Sequence, residues 1–239
     1  MKKIFLSVLT IAITLSVMAQ KTINDANAEV REAKNFTGIR VSNAFDVYLS
    51  QGTEEAVAVS ASDKETRDQI EVEVKDGILH IGLKKSTWKW NNSNKKLTAY
   101  ISFKNIDKLT ISGACDVFVD GTLKASELKI NLSGASDMKN VKLEVNRLDV
   151  HISGASDMKV SGTVNRLSID VSGASKFSGG DLKADVCNAK ASGASDIFVT
   201  VNGELTAEAN GASGIKYQGE GKITDIKTSG SSKIAKVKS

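Results

Sequence analysis

His151, Ser156 and Asp157 lie within seven residues of one another, in the stretch HISGASDMKV (151–160). These are the side-chain types of a hydrolytic triad, in which a histidine takes the proton of a serine hydroxyl and a carboxylate orients the ring. A second chemically suggestive group stands in KKSTWKWNNSNKK (84–96). Trp88 and Trp90 are two residues apart, so on a strand both rings share one face. Asn91 and Asn92 beside them add amide donors and acceptors, and paired aromatics next to amides suit a sugar ring. A third group is acidic. Asp116, Asp137 and Asp157 recur at steps of 21 and 20 residues, and carboxylates brought into one column could share a cation.

The triad dissolves once the chain is searched for copies of itself. NLSGASDMKN (131–140) nearly repeats 151–160, and five further echoes follow the same form. Aligned on Gly113, Gly134, Gly154, Gly173, Gly193, Gly211 and Gly230, the spacings are 21, 20, 19, 20, 18 and 19. Seven units of this size define a repeat architecture. Position +2 is serine in six units and Cys115 in the first. One serine per unit makes a ladder of corner residues, not one activated nucleophile. His80 and His151 are the two histidines, and neither has a triad or zinc-ligand spacing. Glycine permits the sharp corner, while Ser and Asp support it through local hydrogen bonds. On that reading the aspartates edge a solvated corner, Lys176 relieves their repulsion, and no metal or other cofactor is expected. The tryptophan segment keeps two readings. Trp88, Trp90, Asn91 and Asn92 either bind a ligand or belong to a hairpin whose rings cover the apolar end of the fold.

The elements that carry these residues are strands. Before each glycine the chain alternates: Leu128, Ile130, Leu132; Leu148, Val150, Ile152; Leu167, Ile169, Val171, with polar residues between them. Period two marks a strand buried on one face. Position +4 is apolar in all seven units, so each unit reads as strand, tight turn, strand, second turn. Such a unit cannot bury its apolar face alone, and stacking the units in parallel buries a continuous stripe. The expected fold is all-β, a parallel β-solenoid with rungs of about 20 residues, one strand spacing (~4.8 Å) apart. Ala189, Ala191, Ala207 and Ala209 replace larger inward residues, so the solenoid should narrow there or be filled by other side chains. Cys115 and Cys187 fall nearly four rungs apart, roughly 17–19 Å by the strand spacing. A disulfide needs Cα atoms within about 7 Å, so two free thiols are expected.

The rest of the chain frames the repeats. Lys2 and Lys3 precede an apolar run from Ile4 to Val17, with Val17 and Ala19 placed for cleavage before Gln20. Residues 1–19 therefore read as a signal peptide, and no later stretch is long and apolar enough for a membrane-spanning helix. Residues 20–34 read as a polar leader, 35–105 as an irregular β cap, and 106–239 as seven regular repeats of one domain. Asn43 takes the glycine's place in a degenerate unit, IRVSNAFDVYLSQG, and Lys75-Asp76-Gly77 reads as a hairpin turn. The net charge is only +4. It falls further toward neutral once Lys2 and Lys3 are removed, and no basic cluster interleaved with aromatics stands out, which argues against nucleic-acid binding.

The opening FTGIRVSNAFDVYLSQG, the middle VKDGILHI and the serial LxIxxSGASD units resemble the head GIN domain family, described as "putative auto-transporter adhesins". The resemblance spans nearly all of the chain after residue 19. It implies a right-handed, two-sheet β-helix, export in bacteria of the Bacteroides type, and adhesion. It brings no catalytic residues. The expected function is that of an exported, non-enzymatic solenoid serving surface adhesion or envelope binding. It is expected in the periplasm, on the outer surface or secreted, with a glycan or an envelope or host-surface protein as partner and a homo-oligomer as a further option. The alternative is a carbohydrate-active β-helix enzyme of the polysaccharide-lyase type, or a glycan-binding module, although short rungs carry no long catalytic loops. A hexapeptide-repeat acyltransferase is excluded by the period.

Overall fold

The corner decides the architecture. The computed structural model describes residues 25–84 and 96–237. The segment 1–19 and the candidates Trp88, Trp90, Asn91 and Asn92 lie outside those residues. All seven repeat glycines have φ between +70° and +101°, a region that other L-residues enter only at a steric cost. Their carbonyls accept from the corner above: Ala135 N–H donates to Gly113 O at 2.7 Å, and Ala155 N–H to Gly134 O at 2.8 Å, and so on to Ser231 on Gly211. A Cβ on Gly134 would lie 2.2 Å from the Gly113 oxygen. Backbone therefore stacks directly on backbone, which only glycine allows. Asn43 (φ +81°) starts the column, and Ala114 N–H donates to its carbonyl at 2.7 Å. Asparagine serves there because its Oδ1 accepts the Leu83 N–H at 2.9 Å, so the amide stands where a further corner would be.

Two parallel ladders meet at this corner. The entering ladder runs β6 (Ile78–Leu83), β2 (Gly38–Val41), β8 (Lys108–Gly113), then the C-terminal halves of β10 (Thr122–Gly134), β11 (Asp137–Ile152), β12 (Asp157–Val171), β13 (Lys176–Ala191) and β14 (Asp196–Ala209), and β16 (Lys222–Thr228). The leaving ladder runs β7 (Leu97–Phe103), β3 (Phe45–Gln51), β9 (Asp116–Asp120), the N-terminal parts of β11 to β14, then β15 (Gly214–Gln218) and β17 (Lys233–Lys236). The inward residues form columns; Ile39, Leu109, Ile130, Val150, Ile169, Ala189 and Ala207 are all buried and in register. Parallel sheets are usually covered on both faces. Here the two ladders cover each other's inner face and leave the outer one in water, which is why the strands alternate.

The second turn of each unit is not a separate turn. Strands β10 to β14 run 13–16 residues and bend through that region. The registers slip there, between Met138 and Val141, Lys159 and Ser161, and Gly179 and Lys183. The uneven repeat spacing is absorbed at this bend, and the glycine corner stays constant.

The first rung is closed by antiparallel strands. β5 (Ile70–Lys75) pairs with β6 through Asp76 and Gly77, both at positive φ, the geometry of a two-residue hairpin turn. β4 (Ala56–Ala61) runs antiparallel to β7, and β1 (Glu29–Arg31), from the segment read as a polar leader, pairs with β4. Three residues are too few to show a period, so β1 carried no strand signal. Glu29 holds Arg67 at 2.7 Å, from α1 (Lys64–Arg67), whose N-terminus is capped by Asp63. At the opposite end β16 and β17 each pair on one side only among the described residues. Lys222, Lys227, Lys233 and Lys236 line them, and such charges discourage edge pairing.

Both cysteines are free and buried. Burial pushes the Cys187 thiol up to about 12 and also raises that of Cys115. A thiol in that state is a poor nucleophile. The native protein is expected to leave an aromatic disulfide reagent unreacted, with both thiols titrating once denaturant is added. Rapid reaction of either thiol in the native protein would contradict the register.

Candidate functional site

The serine ladder is occupied with structure. Ser136, Ser156, Ser175, Ser195 and Ser213 are buried at the inside of the corner. Ser195 Oγ donates to Ser192 O at 2.8 Å, and Ser213 Oγ to Asn210 O at 2.9 Å. Ser136 N–H donates to Ser156 Oγ at 3.1 Å. Each hydroxyl thus ties a corner to its neighbours. His151 stands in register with Asn131 and Asp170 on the outer face of the entering ladder, while Ser156 is at the inside of the corner, so the three residues quoted at the outset do not converge.

The acidic column is present and longer than the repeats suggest. Asp46, Asp116, Asp137 and Asp157 are register partners on successive rungs, followed by Lys176 and Asp196. Its charge is compensated by lysines. Lys96 Nζ lies 2.9 Å from Asp46, and Lys139 Nζ lies 2.5 Å from Asp137. The Lys139 ammonium is held above its ordinary range by its hydrogen bond to Asp137, and Asp116 and Asp157 act in the same direction. No group of three or more potential metal ligands occurs among the described residues.

Two residues further along each strand is another outward column, and here sequence reasoning was incomplete. The alternation along Asp116–Asp120 turns Phe118 outward, but no local pattern names its partners. Tyr48 pairs in register with both Tyr100 and Phe118. The Tyr48 ring stacks on Tyr100 at 5.3 Å and on Phe118 at 5.0 Å, each at 18°. The spacing is that of the rungs themselves. Tyr48 is 39% exposed and Phe118 43%, a large apolar area for an outer face. Lys139 and Lys159 hold the corresponding position on the next two rungs, so the aromatic stripe ends in cations. Phe198 lies over Gly180, whose added Cβ would meet its ring at 2.4 Å, and is half-buried there.

The cap turns the aromatic end into a cleft. Asp25, Asn27, Tyr48, Ser60, Lys96, Thr98 and Tyr100 are among its lining residues. Thr98 and Ser60 point outward from β7 and β4, yet they are only 4% and 5% exposed; they form its floor. Asp25 reaches over from the segment before β1. Its Oδ2 accepts from the Tyr100 hydroxyl at 3.0 Å, and its Oδ1 from the Asn27 N–H at 3.0 Å. Partial burial works to raise the Asp25 carboxyl, but bonds from Ser60, Asn27 and Tyr100, with the charge of Lys96, outweigh it and hold it below the usual range.

Desolvation first, then the Asp25 carboxylate, pushes the Tyr100 phenol up to about 12, above the ordinary value of about 10. The folded state thus holds this proton more tightly than the unfolded chain. The stability it confers is fully present below pH ~10 and lost as pH rises toward 12. Absorbance titration is expected to show a late tyrosine component from Tyr100, and Asp25→Asn should move that component down.

The family model described as "Putative auto-transporter adhesin, head GIN domain" matches residues 35–221. No curated protein matches the chain in sequence. Among solved structures, a "putative adhesin" from Bacteroides fragilis superposes with a TM-score of 0.80 at 23% identity, covering 88% of this chain and 96% of that one. One of the same description from Parabacteroides merdae gives 0.69 at 18%, covering 88% and 95%. A "putative lipid binding protein" from Parabacteroides distasonis gives 0.64 at 22%, covering 90% and 98%. At these identities the likeness establishes the shared fold.

Proposed function

The chain belongs to the head GIN domain family, and from that premise we propose that it is an exported, non-enzymatic adhesion module that contacts its partner through the outward face of the leaving ladder. The observation that carries this reading is the exposed Tyr48–Phe118 pair, continued by the half-buried Tyr100, beside a lysine-compensated acid column. A continuous apolar strip edged by charges is the composition of a recognition surface. It lies on strands, where the solenoid holds it rigid, so binding requires little ordering. The absence of chemistry in this reading is supported by the serine hydroxyls, which are spent on backbone carbonyls. The family match and the signal-peptide pattern of residues 1–19 support a surface or envelope location. A lipid-binding role is less favoured, because the interior is one continuous cluster of buried side chains.

The test is retention of labelled protein on bacterial envelopes and on host-cell surfaces. Tyr48→Thr with Phe118→Thr keeps good strand formers and removes the apolar strip. The double variant is expected to fold and to lose most of the retention. Equal retention by a folded double variant sinks the assignment of this face.

A further inference from the structure

We propose that the cleft between the aromatic stack and the cap is a subsite for a single neutral sugar ring. The inference rests on the reading that this end of the outer face is the contact surface, and it names the ligand class.

Size comes first. The cleft has a volume of about 210 Å³, the space of about seven liquid waters. That accommodates one pyranose and falls short of the roughly 300–1,000 Å³ of drug-sized sites. A single ion would leave most of it unfilled.

Charge comes second. Lys96 is paired with Asp46 at 2.9 Å, and Asp25 adds a further carboxylate. The balance is one negative charge, which disfavours a phosphate, sulfate or uronate. The ammonium of Lys96 in the same wall disfavours a cation.

Hydrogen bonding comes third. The lining holds the hydroxyls of Ser60, Ser62 and Thr98 and the amide of Asn27, with the floor residues nine-tenths buried. An ionised carboxylate offers about four acceptor positions. At Asp25 three are taken, by the Asn27 N–H, the Tyr100 hydroxyl and Ser60. One remains for a ligand hydroxyl. Lys96 can donate two bonds beyond the one to Asp46. The stacked rings of Tyr48 and Tyr100 form the apolar side, against which the C–H edge of a sugar can lie. A wall of that kind with many hydroxyl partners and a near-balanced charge matches a neutral polyol.

The experiment is saturation-transfer NMR and titration of the full chain with methyl glycosides of neutral hexoses and N-acetylhexosamines, each beside the uronate of matching stereochemistry. At least one neutral glycoside should bind with a dissociation constant of about 1 mM, as expected for one ring with few anchors. Its uronate should bind at least tenfold more weakly. Asp25→Asn and Thr98→Val, both isosteric, should weaken binding tenfold or more while far-ultraviolet dichroism shows the fold retained at the assay temperature. Val186→Thr, exposed on β13 and outside both the cleft and the aromatic strip, should leave it unchanged. The proposal is overturned by no transfer from any neutral glycoside, by uronates binding as well, or by both isosteric variants binding like wild type. Failure here with intact, Tyr48/Phe118-dependent surface retention removes the sugar subsite alone. Sugar binding without retention removes the adhesion reading alone.

Discussion

Gly154→Ala is expected to abolish stable folding, or to cost at least about 4 kcal/mol if the protein survives it, from combined backbone strain and lost buried hydrogen bonds. Gly154 has φ +84°, where an added side chain costs about 1–2 kcal/mol on its own. The larger part is contact. The new Cβ would sit 2.3 Å from Gly134 O and 3.0 Å from Gly134 N. An ordinary carbon-to-oxygen contact is about 3.3–3.6 Å, so the rungs must separate by about an ångström. Three bonds cross at that corner: Ser153 N–H to Leu132 O at 3.0 Å, Ala155 N–H to Gly134 O at 2.8 Å, and Asp157 N–H to Ser136 O at 3.1 Å. Opening the rungs strains all three, and each orphaned buried group costs about 1–3 kcal/mol. A domain has only about 5–15 kcal/mol to lose. Gly77→Ala is the matched control. Its φ is +73° and nothing lies within 4 Å of the added Cβ, so it isolates the left-handed cost of about 1–2 kcal/mol. Gly211→Ala, with its nearest contact at 2.9 Å, should fall between. Urea unfolding of the three variants checks the order. If Gly154→Ala costs no more than Gly77→Ala, close approach of rungs is not what requires glycine.

The same corner explains what could be read from the sequence. Its constraint acts within one rung and recurs in every rung, so a single chain displays it seven times. Asn43 was legible as the column's first member because asparagine is the next residue to accept that backbone. The aromatic stack was not, although its signal existed. Tyr48 follows Asn43 by five residues as Phe118 follows Gly113 by five. Seeing the pair requires placing the degenerate unit directly beneath the first regular rung, across the intervening β4 to β7. Tyr100 lies on the far side of β3 on a strand with no corner glycine, and Asp25 joins it from 75 residues away. No local pattern encodes such contacts; they follow from the parallel insertion of β3 between β7 and β9. The cleft therefore belongs to the irregular end of the molecule, where the repeat no longer predicts neighbours.

Phe177→Ala is expected to be the most damaging truncation inside the solenoid, at about 4–5 kcal/mol, the upper range for a buried phenylalanine. The reason lies in how volume is shared around its rung. Register partners on the rung before are Met158, Gly162, Val164, Leu167, Ile169 and Val171, against Phe177, Leu182, Ala184, Cys187, Ala189 and Ala191. Two positions grow and four shrink, and all six on the later rung are buried. The alanines seen in the sequence are thus offset by bulk within their own rung. The Phe177 ring extends over Gly179, whose added Cβ would lie 2.5 Å from Cε1; glycine there is what admits the larger ring. Removing that ring leaves a void in a rung whose other inward positions include Ala184, Ala189 and Ala191, which have no torsions with which to move in, so much of the cavity contribution persists. Phe177→Met, the choice made at Met138 and Met158, should cost only about 1–2 kcal/mol because methionine adapts to irregular gaps. Adding Ala189→Ile to Phe177→Met should recover part of that loss, whereas Ala189→Ile alone should overpack and destabilise by about 1–3 kcal/mol. Urea midpoints at constant slope report each value. A cost below about 2 kcal/mol for Phe177→Ala, or a neutral Ala189→Ile, means that the rung is loosely filled and this account of it fails. The outer face is at stake as well. Its columns remain in register only while successive rungs keep the same cross-section, so the proposed contact surface depends on this exchange of bulk inside.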